Sequence, residues 1–338
     1  MAFKVALVGH EGQIVPDWVF ERMVSEGITL IVNECQTRDE LLRTAEDADL
    51  IWVFGGSRIL FNGGNSDDLV SFPRCGAILR TGSGTDNIPV ESATQLGIIV
   101  ANTPEALSDA VSDHATGLLL AVVRQIPLQD RAVRGRGWDR NHGFPRSRLR
   151  GRTLGLVGFG NIAQAFVRKL SGFRMKFLAH DPYVSPTVFR DHSVTSLELD
   201  EVLAQSDFVS LHCPLTPETT HLIGERQLRL MKPTGVLINT SRGSVVDERM
   251  LFRALTEGWI AAAGLDVLEK EPPDWNNPLL KLDNVVVTPH IAAFSDDYLD
   301  ESWTISVNAV VALAQGCWPR SCVNGRVNPR WNLRRCEA

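Results

Sequence analysis

The stretch of this chain that decides the fold is Leu154-Gly155-Leu156-Val157-Gly158-Phe159-Gly160-Asn161-Ile162-Ala163, near the middle of 338 residues. It opens with a short apolar run, which predicts a buried strand, and continues into the pattern G-x-G-x-x-G/A. Glycines in that pattern allow a tight turn and bring the backbone against a pyrophosphate, at the positive end of a helix predicted over about 162–170. The stretch therefore predicts a dinucleotide-binding turn made by Gly158, Phe159, Gly160, Asn161 and Ile162.

A carboxylate follows this turn at the spacing that a dinucleotide site requires. Asp181 comes directly after another predicted strand, roughly 20 residues beyond Gly160, where it can accept hydrogen bonds from the adenosine ribose. It would repel a 2′-phosphate, and no arginine follows it within the next several residues. We therefore predict NAD as the cofactor in preference to NADP; the alternative role for Asp181 is that of a simple loop cap.

On both sides of the turn, apolar runs of strand length alternate with helix-like stretches, which predicts an α/β fold with parallel sheets. Further strands are predicted at 5–9, 29–32, 50–54, 77–80, 98–101, 176–180, 208–211, 235–239, 262–266 and 285–288. Helices are predicted at 18–26, 39–46 and 108–125, with helical character over 294–314. Because the turn lies near mid-chain, we expect a cofactor domain over 102–293, inserted into a domain formed by 1–101 plus 294–338. A cleft between two such domains is a common ligand site.

Composition narrows the class of protein. The chain is 44% hydrophobic with a formal net charge of −6, which argues against a nucleic-acid partner. No apolar run reaches the roughly 18 residues that a membrane span needs, and no signal-like segment is evident, so we expect a cytoplasmic protein. Six scattered cysteines without a CxxC pair favour free thiols over a disulfide framework. The cysteines and histidines do not cluster at ligand spacing, so no metal site is expected.

Eight arginines lie between Arg131 and Arg152. The segment is interpreted as a surface or subunit-packing arm whose arginines pair with acidic residues of a partner chain. A polyanion-binding arm is the alternative, which the acidic balance of the whole chain disfavours.

Three short segments downstream of the turn carry an arginine, a carboxylate and a histidine. They are Asn239-Thr240-Ser241-Arg242-Gly243, then Glu271-Pro272, and then Thr288-Pro289-His290. A guanidinium can hold a carboxylate and an adjacent carbonyl in a planar, bidentate way, and an imidazole beside a carboxylate can deliver a proton to a carbonyl oxygen. Together with a hydride donor on the glycine turn, Arg242, Glu271 and His290 have the chemistry for reducing a 2-oxo acid. Glu248 and Glu269 are rival candidates for the carboxylate role.

These motifs, with Gly264-Leu265-Asp266-Val267, resemble the signatures of the D-2-hydroxyacid dehydrogenases over nearly the whole chain, from about Val5 to Val323. Arg80-Thr81-Gly82-Ser83-Gly84-Thr85-Asp86-Asn87, Asp181-Pro182-Tyr183 and His212-Cys213-Pro214-Leu215 are most similar to the branch that contains the C-terminal binding protein corepressors and the phosphoglycerate dehydrogenase-like enzymes. The resemblance implies two Rossmann-like, doubly wound parallel-sheet domains, with the NAD-binding domain inserted into the substrate domain, and a homodimer.

The resemblance also implies a role for each matching residue. His290 would be the proton donor, Glu271 its partner and Arg242 the substrate anchor. Further substrate contacts would come from Arg80, Ser83 and Gly84. Cofactor contacts would come from Val111, Cys213, Pro214, Thr240 and Asp266, beside the glycine turn and Asp181. His114, His142 and His212 are interpreted as packing or surface groups.

One departure from the branch bears on specificity. Alanine (Ala293) occupies the position where the corepressor branch has tryptophan, and Phe294 follows it. The substrate of that branch therefore does not carry over, and a smaller wall would admit a bulkier or more polar side chain unless Phe294 fills the gap. The main hypothesis is an NAD-dependent 2-hydroxyacid dehydrogenase; the alternative is an NAD(H)-sensing, corepressor-like binding protein with little turnover.

Overall fold

The computed structural model describes residues 2–10, 13–54, 67–143 and 146–336. Two positions of the predicted arginine-rich arm, 144 and 145, and the outermost residues of the predicted domains lie outside these ranges. The chain divides into two compact units. The first unit comprises Met1–Leu107 and Ser295–Ala338, and the second unit comprises Ser108–Phe294. Their assignment as substrate and cofactor domains stays a prediction.

The first unit contains a parallel sheet of five strands in the order β2-β1-β3-β4-β5. The strands are β1 (Phe3–Val8), β2 (Ile28–Asn33), β3 (Leu50–Phe54), β4 (Ala77–Thr81) and β5 (Ile99–Asn102). The helices are α1 (Asp17–Ser25), α2 (Arg38–Ala45), α3 (Asp67–Val70), α4 (Val90–Gln95) and, from the C-terminal segment, α12 (Tyr298–Ala314).

Both faces of this sheet are buried, which explains why its strands are almost continuously apolar instead of alternating. Leu7 and Trp52 belong to one apolar cluster, and Ala6 and Ile51, their neighbours in sequence, belong to another on the opposite face. Trp303 of α12 stacks on Phe54 with ring centroids 4.0 Å apart. The C-terminal segment therefore completes the core of the first unit.

The second unit contains a parallel sheet of seven strands in the order β12-β11-β10-β9-β6-β7-β8. The strands are β6 (Thr153–Val157), β7 (Lys176–His180), β8 (Thr195–Ser196), β9 (Phe208–Leu211), β10 (Val236–Asn239), β11 (Ala262–Leu265) and β12 (Val285–Val287). The helices are α5 (Glu105–Arg124), whose first residues belong to the first unit, α6 (Ile126–Arg134), α7 (Asn161–Leu170), α8 (Pro186–Asp191), α9 (Leu199–Gln205), α10 (Glu225–Leu230) and α11 (Glu248–Thr256). Short 3₁₀ helices lie at Ser171–Phe173, Gly243–Val245 and Pro278–Lys281.

In this sheet the chain starts at β6 and builds outward in both directions, first through β7 and β8 and then through β9 to β12. The strand order reverses between β6 and β9, and open α/β sheets bind their ligands at such a point, beyond the carboxyl ends of the strands. The predicted glycine turn directly follows β6. The α/β class with two Rossmann-like parallel sheets is thus confirmed, and the predicted strands agree with the observed ones to within a residue or two.

The expectation of six free thiols is wrong for two cysteines, because Cys317 and Cys336 form a disulfide with their Cα atoms 5.6 Å apart. Backbone hydrogen bonds from Trp318 to Arg334 and from Arg334 to Gly316 lay these two parts of the chain side by side. A separation of 19 residues gives no hint of this pairing in the sequence. Cys35, Cys75, Cys213 and Cys322 are free.

No helix among the described residues combines the length and the hydropathy of a membrane span. Likewise, no group of three or more His, Cys, Asp or Glu side chains in the described ranges is arranged to hold a metal ion.

Candidate active site

Six neighbouring strands of the second unit each end at a residue group singled out from the sequence. Gly158 follows β6, Asp181 follows β7 and Cys213 follows β9. Further along the sheet, Thr240 and Arg242 follow β10, Asp266 and Glu271 follow β11, and His290 follows β12. Because the strands are parallel, their carboxyl ends meet at one edge of the sheet. The fold therefore brings these predicted residues to a common edge.

The glycine turn has the close packing that its sequence predicts. Gly158 has a φ of +88°, and a Cβ on it would lie 2.6 Å from the backbone nitrogen of Cys213, so only glycine fits. Gly160 precedes the first turn of α7, and no described atom lies within 4 Å of the position that its Cβ would take. The turn thus leaves open space at the positive end of a helix, as a pyrophosphate requires.

Asp181 is tied to this turn through its carboxylate. The Oδ2 atom accepts a hydrogen bond of 2.8 Å from the backbone nitrogen of Phe159, and Oδ1 accepts one of 2.9 Å from Tyr183. The side chain is therefore held at the end of β7 while each oxygen keeps a second lone pair. This arrangement combines the loop-cap role with a position suited to a ribose.

The residues after β9 and β10 line the same edge. Burial raises the pKa of the Cys213 thiol to about 11 and lowers the pKa of the neighbouring His212 to about 3, so His212 is neutral and unsuited to donate a proton. The hydroxyl of Thr240 is buried and has no hydrogen-bond partner among the described residues. An unsatisfied buried hydroxyl costs free energy, and a bound group would satisfy it. The open space at Gly160 and this hydroxyl both fit a dinucleotide.

The predicted histidine–carboxylate pair is formed. Nδ1 of His290 lies 2.7 Å from Oε2 of Glu271, and Oε1 of Glu271 accepts a hydrogen bond of 3.0 Å from the backbone nitrogen of Leu268. The His290 side chain is 45% exposed and that of Glu271 25% exposed, so the imidazole is reachable from solvent. With Nδ1 facing Glu271, Nε2 is the nitrogen that is available to a reacting group.

The geometry distinguishes Glu271 from its two rivals. Glu248 and Glu269 bind each other: Oε1 of Glu269 accepts from the backbone nitrogen of Glu248 at 3.0 Å, and Oε2 of Glu248 accepts from that of Glu269 at 2.9 Å. Glu269 also pairs with His221, whose Nε2 lies 3.0 Å away. Both rivals are therefore engaged in holding loops together, and Glu271 is the carboxylate that contacts His290.

Arg242 lies in a loop whose shape is set by its neighbours. Nδ2 of Asn239 donates to the carbonyl oxygen of Arg242 at 2.9 Å, and Oδ1 of Asn239 accepts from the backbone and hydroxyl of Ser241. A Cβ on Gly243 would lie 1.9 Å from the carbonyl carbon of Leu268. The loop that carries Arg242 therefore packs directly against the loop that carries Glu271.

Asp266 has a role that the sequence reasoning missed. Its carboxylate is 1% exposed and accepts hydrogen bonds from the backbone nitrogens of Ile291 and Ala292, at 3.0 and 2.9 Å, and from the hydroxyl of Thr288 at 2.5 Å. Its backbone carbonyl accepts from the nitrogen of His290 at 2.8 Å. Asp266 thus holds the turn in which His290 adopts its φ of +54°. The adjacency of β11 and β12 was the signal that could have revealed it.

The remaining predicted residues lie elsewhere. Arg80, Ser83 and Gly84 are in the first unit, where Ser83 accepts a hydrogen bond of 2.9 Å from Nδ2 of Asn102. Val111 is buried on α5. Phe294 is 58% exposed, so its ring is not buried in place of the missing tryptophan. Of the arginine-rich arm, Arg131, Arg134 and Arg152 pair with carboxylates of this same chain.

Comparison with known proteins gives a consistent match. The sequence model of a family described as D-isomer specific 2-hydroxyacid dehydrogenase, NAD binding domain, matches residues 116–292. A glyoxylate reductase of Thermococcus litoralis is 43% identical over 262 residues, which is 76% of this chain and 79% of that protein. A D-3-phosphoglycerate dehydrogenase of Methanocaldococcus jannaschii is 39% identical over 85% of this chain, which spans about half, 54%, of that longer protein. A solved glyoxylate reductase from Paecilomyes thermophila superposes with a TM-score of 0.87 at 29% identity, over 96% of this chain and all of that one.

Proposed function

The chain belongs to the D-isomer specific 2-hydroxyacid dehydrogenase family, and from that premise we propose that it interconverts a 2-oxo acid and a D-2-hydroxy acid by hydride transfer with NAD. The observation that carries the proposal is the 2.7 Å contact between His290 and Glu271, at the sheet edge that also carries Arg242 and the glycine turn. Membership of this family favours the dehydrogenase over the corepressor-like alternative.

In the direction of reduction, His290 acts as the general acid. Its Nε2–H is transferred to the carbonyl oxygen of the substrate, while Nδ1–H stays in its hydrogen bond with Glu271, whose negative charge stabilises the imidazolium. NADH, when bound, supplies the hydride to the carbonyl carbon. The products would be the 2-hydroxy acid, NAD⁺ and a neutral imidazole, and exposure of His290 lets solvent restore its proton. Oxidation reverses these steps.

Arg242 provides the substrate anchor. Its guanidinium presents donors in a rigid fork that matches a carboxylate and the adjacent carbonyl oxygen. We assign further contacts with the substrate carboxylate to Arg80, Ser83 and Gly84 because of their family resemblance. Replacement of Arg242 by lysine keeps the charge but loses the fork, so it should raise KM for the 2-oxo acid.

We propose a small or polar 2-oxo acid as the substrate. The relatives named above as glyoxylate reductases support a small substrate. Alanine at position 293 and the exposed ring of Phe294 support the second possibility, a more polar side chain. The test is a panel of glyoxylate, hydroxypyruvate, phosphohydroxypyruvate, and branched and aromatic 2-oxo acids, followed by NADH absorbance. Turnover restricted to aromatic 2-oxo acids would contradict the substrate proposal, and no turnover with any member would contradict the function itself.

We further propose a homodimer in which α6 and the following arm face the second copy. Ile126, Val133 and Trp138 in this region are 57%, 50% and 81% exposed, so this region offers apolar surface to a second copy. Sedimentation should give twice the mass of one chain, and a Trp138→Glu variant should shift the equilibrium toward the monomer.

A further inference from the structure

The buried carboxylate of Asp266 has one neighbour that the proposed mechanism does not use, the imidazole of His114. Nε2 of His114, which lies on α5, is 3.0 Å from the hydroxyl of Thr288 and 3.4 Å from Oδ1 of Asp266. The His114 side chain is 22% exposed. His114 therefore places a basic ring nitrogen within 4 Å of this carboxylate.

Counting protons settles the direction of these hydrogen bonds. A hydroxyl has one proton, and Thr288 donates it to Oδ1 of Asp266 at 2.5 Å. The oxygen of Thr288 therefore acts as the acceptor toward His114, so Nε2 of His114 must carry a proton. This N–H lies near both the hydroxyl of Thr288 and the carboxylate of Asp266, and it holds the two in their observed positions.

Hydrogen bonds connect His114 with the turn that carries His290 in two steps. Thr288 and Asp266 are fixed by the N–H of His114, and Asp266 in turn receives the backbone N–H groups of Ile291 and Ala292 and, at its carbonyl, that of His290. These bonds hold His290 at a positive φ, a conformation that a residue other than glycine keeps only where its surroundings enforce it. Loss of the N–H of His114 would therefore weaken the hydrogen bonds that hold the turn of His290.

We propose that His114 is a positioning residue, which acts through Thr288 and Asp266 to hold His290 in its catalytic orientation. This inference rests on the proposed function, since it assumes that His290 is the acid–base group. His114 donates one proton and takes no part in the chemistry. A glutamine, whose amide nitrogen can reach the place of Nε2, should therefore replace it, whereas alanine and leucine should not.

The test compares kcat and KM for the best 2-oxo acid in the wild type, His114→Ala, His114→Gln and Thr288→Val. His114→Ala should lower kcat by about 10- to 100-fold, as expected for a misplaced acid, with a change in KM below about threefold. His114→Gln should recover kcat to within about threefold of the wild type. Because His114 and Thr288 belong to the same set of hydrogen bonds, the double variant His114→Ala, Thr288→Val should lose little more kcat than either single variant. His142→Ala is the matched control, since it removes an exposed histidine of the same unit.

An unchanged kcat in His114→Ala would overturn the inference, and so would a failure of glutamine to rescue. A measurement that does not depend on turnover separates failure of the positioning role from failure of the proposed function. In spectra of ¹⁵N-labelled histidine, with the His290 signals assigned through His290→Asn, His114→Ala should shift or broaden them, and His142→Ala should not. If the His290 signals shift but the wild type shows no turnover, the positioning role is supported and the dehydrogenase function is refuted. If the wild type shows turnover but the signals do not shift, the dehydrogenase function is supported and the positioning role is refuted.

Discussion

Replacing Glu271 with glutamine tests the pairing of His290 with Glu271 directly, and the expected loss of kcat can be estimated from the geometry. Glu271 makes two contacts, with Nδ1 of His290 at 2.7 Å and with the backbone nitrogen of Leu268 at 3.0 Å. Both neighbours are donors when the imidazole is charged, and glutamine has a single acceptor oxygen. One of the two contacts must therefore be lost, and the charge that stabilises the imidazolium disappears with either orientation of the amide.

The magnitude follows from the difference between charged and neutral hydrogen bonds. A hydrogen bond to a charged group contributes about 1.5–3 kcal/mol and a neutral one about 1 kcal/mol. The difference is about 0.5–2 kcal/mol, and because His290 is 45% and Glu271 25% exposed, solvent screening reduces it to about 0.5–1.5 kcal/mol. At about 1.4 kcal/mol for each factor of ten, kcat should fall roughly 2- to 12-fold.

The assay is the initial rate of NADH oxidation with the best 2-oxo acid, for Glu271→Gln, Glu269→Gln and the wild type. Glu257→Gln is the matched control, since Glu257 is a surface carboxylate of the same unit that pairs with Arg253. The proposed role of Glu271 is refuted if Glu271→Gln keeps the wild-type kcat. It is also refuted if Glu269→Gln loses more than Glu271→Gln, because the carboxylate role would then belong to the rival.

Three further changes test other parts of the site. Asp181→Ala should remove the repulsion of a 2′-phosphate, so the preference for NADH over NADPH, measured as the ratio of kcat/KM, should fall by about tenfold or more; equal use of both cofactors by the wild type would contradict the prediction. Gly158→Ala places a Cβ 2.6 Å from a backbone nitrogen at a φ of +88° and should lower the free energy of unfolding by about 1–3 kcal/mol, measured by chemical denaturation. Burial lowers the pKa of His212 in the folded protein to about 3, below its ordinary value near 6.5, so the unfolded chain binds more protons in between and stability should fall as the pH drops from about 6.5 toward 3. The slope over that range should be shallower in His212→Gln, and an identical slope would show that other groups cause it.

The features that sequence alone predicted are those with a local physical signal. Strands such as β6 and β9 are buried on both faces, so their apolar runs stand out, and the glycine turn is fixed by steric demands of its own backbone. β8, by contrast, is an exposed pair of residues at the sheet edge and has no such signal. The helix predicted from 294 begins later, at Tyr298, after a turn that the apolar pattern does not reveal.

What sequence could not predict depends on contacts between distant segments. The partner of Cys317 is determined by how the chain folds back beside it, and the spacing of the cysteines in the sequence does not indicate this partner. The hydrogen bonds of Asp266 and His114 join residues that are far apart in the chain and meet only because β11, β12 and α5 are packed together. Even the choice of Glu271 over Glu269 rested on resemblance until the 2.7 Å contact was known.

The most direct test of the central claim is a single turnover with NADH deuterated at the transferred position of the nicotinamide. The wild type should yield the D-2-hydroxy acid with deuterium at C2, and His290→Ala should still bind NADH but form product at least about 10²-fold more slowly. Product without deuterium at C2, an L-2-hydroxy acid, or an undiminished rate in His290→Ala would contradict the account.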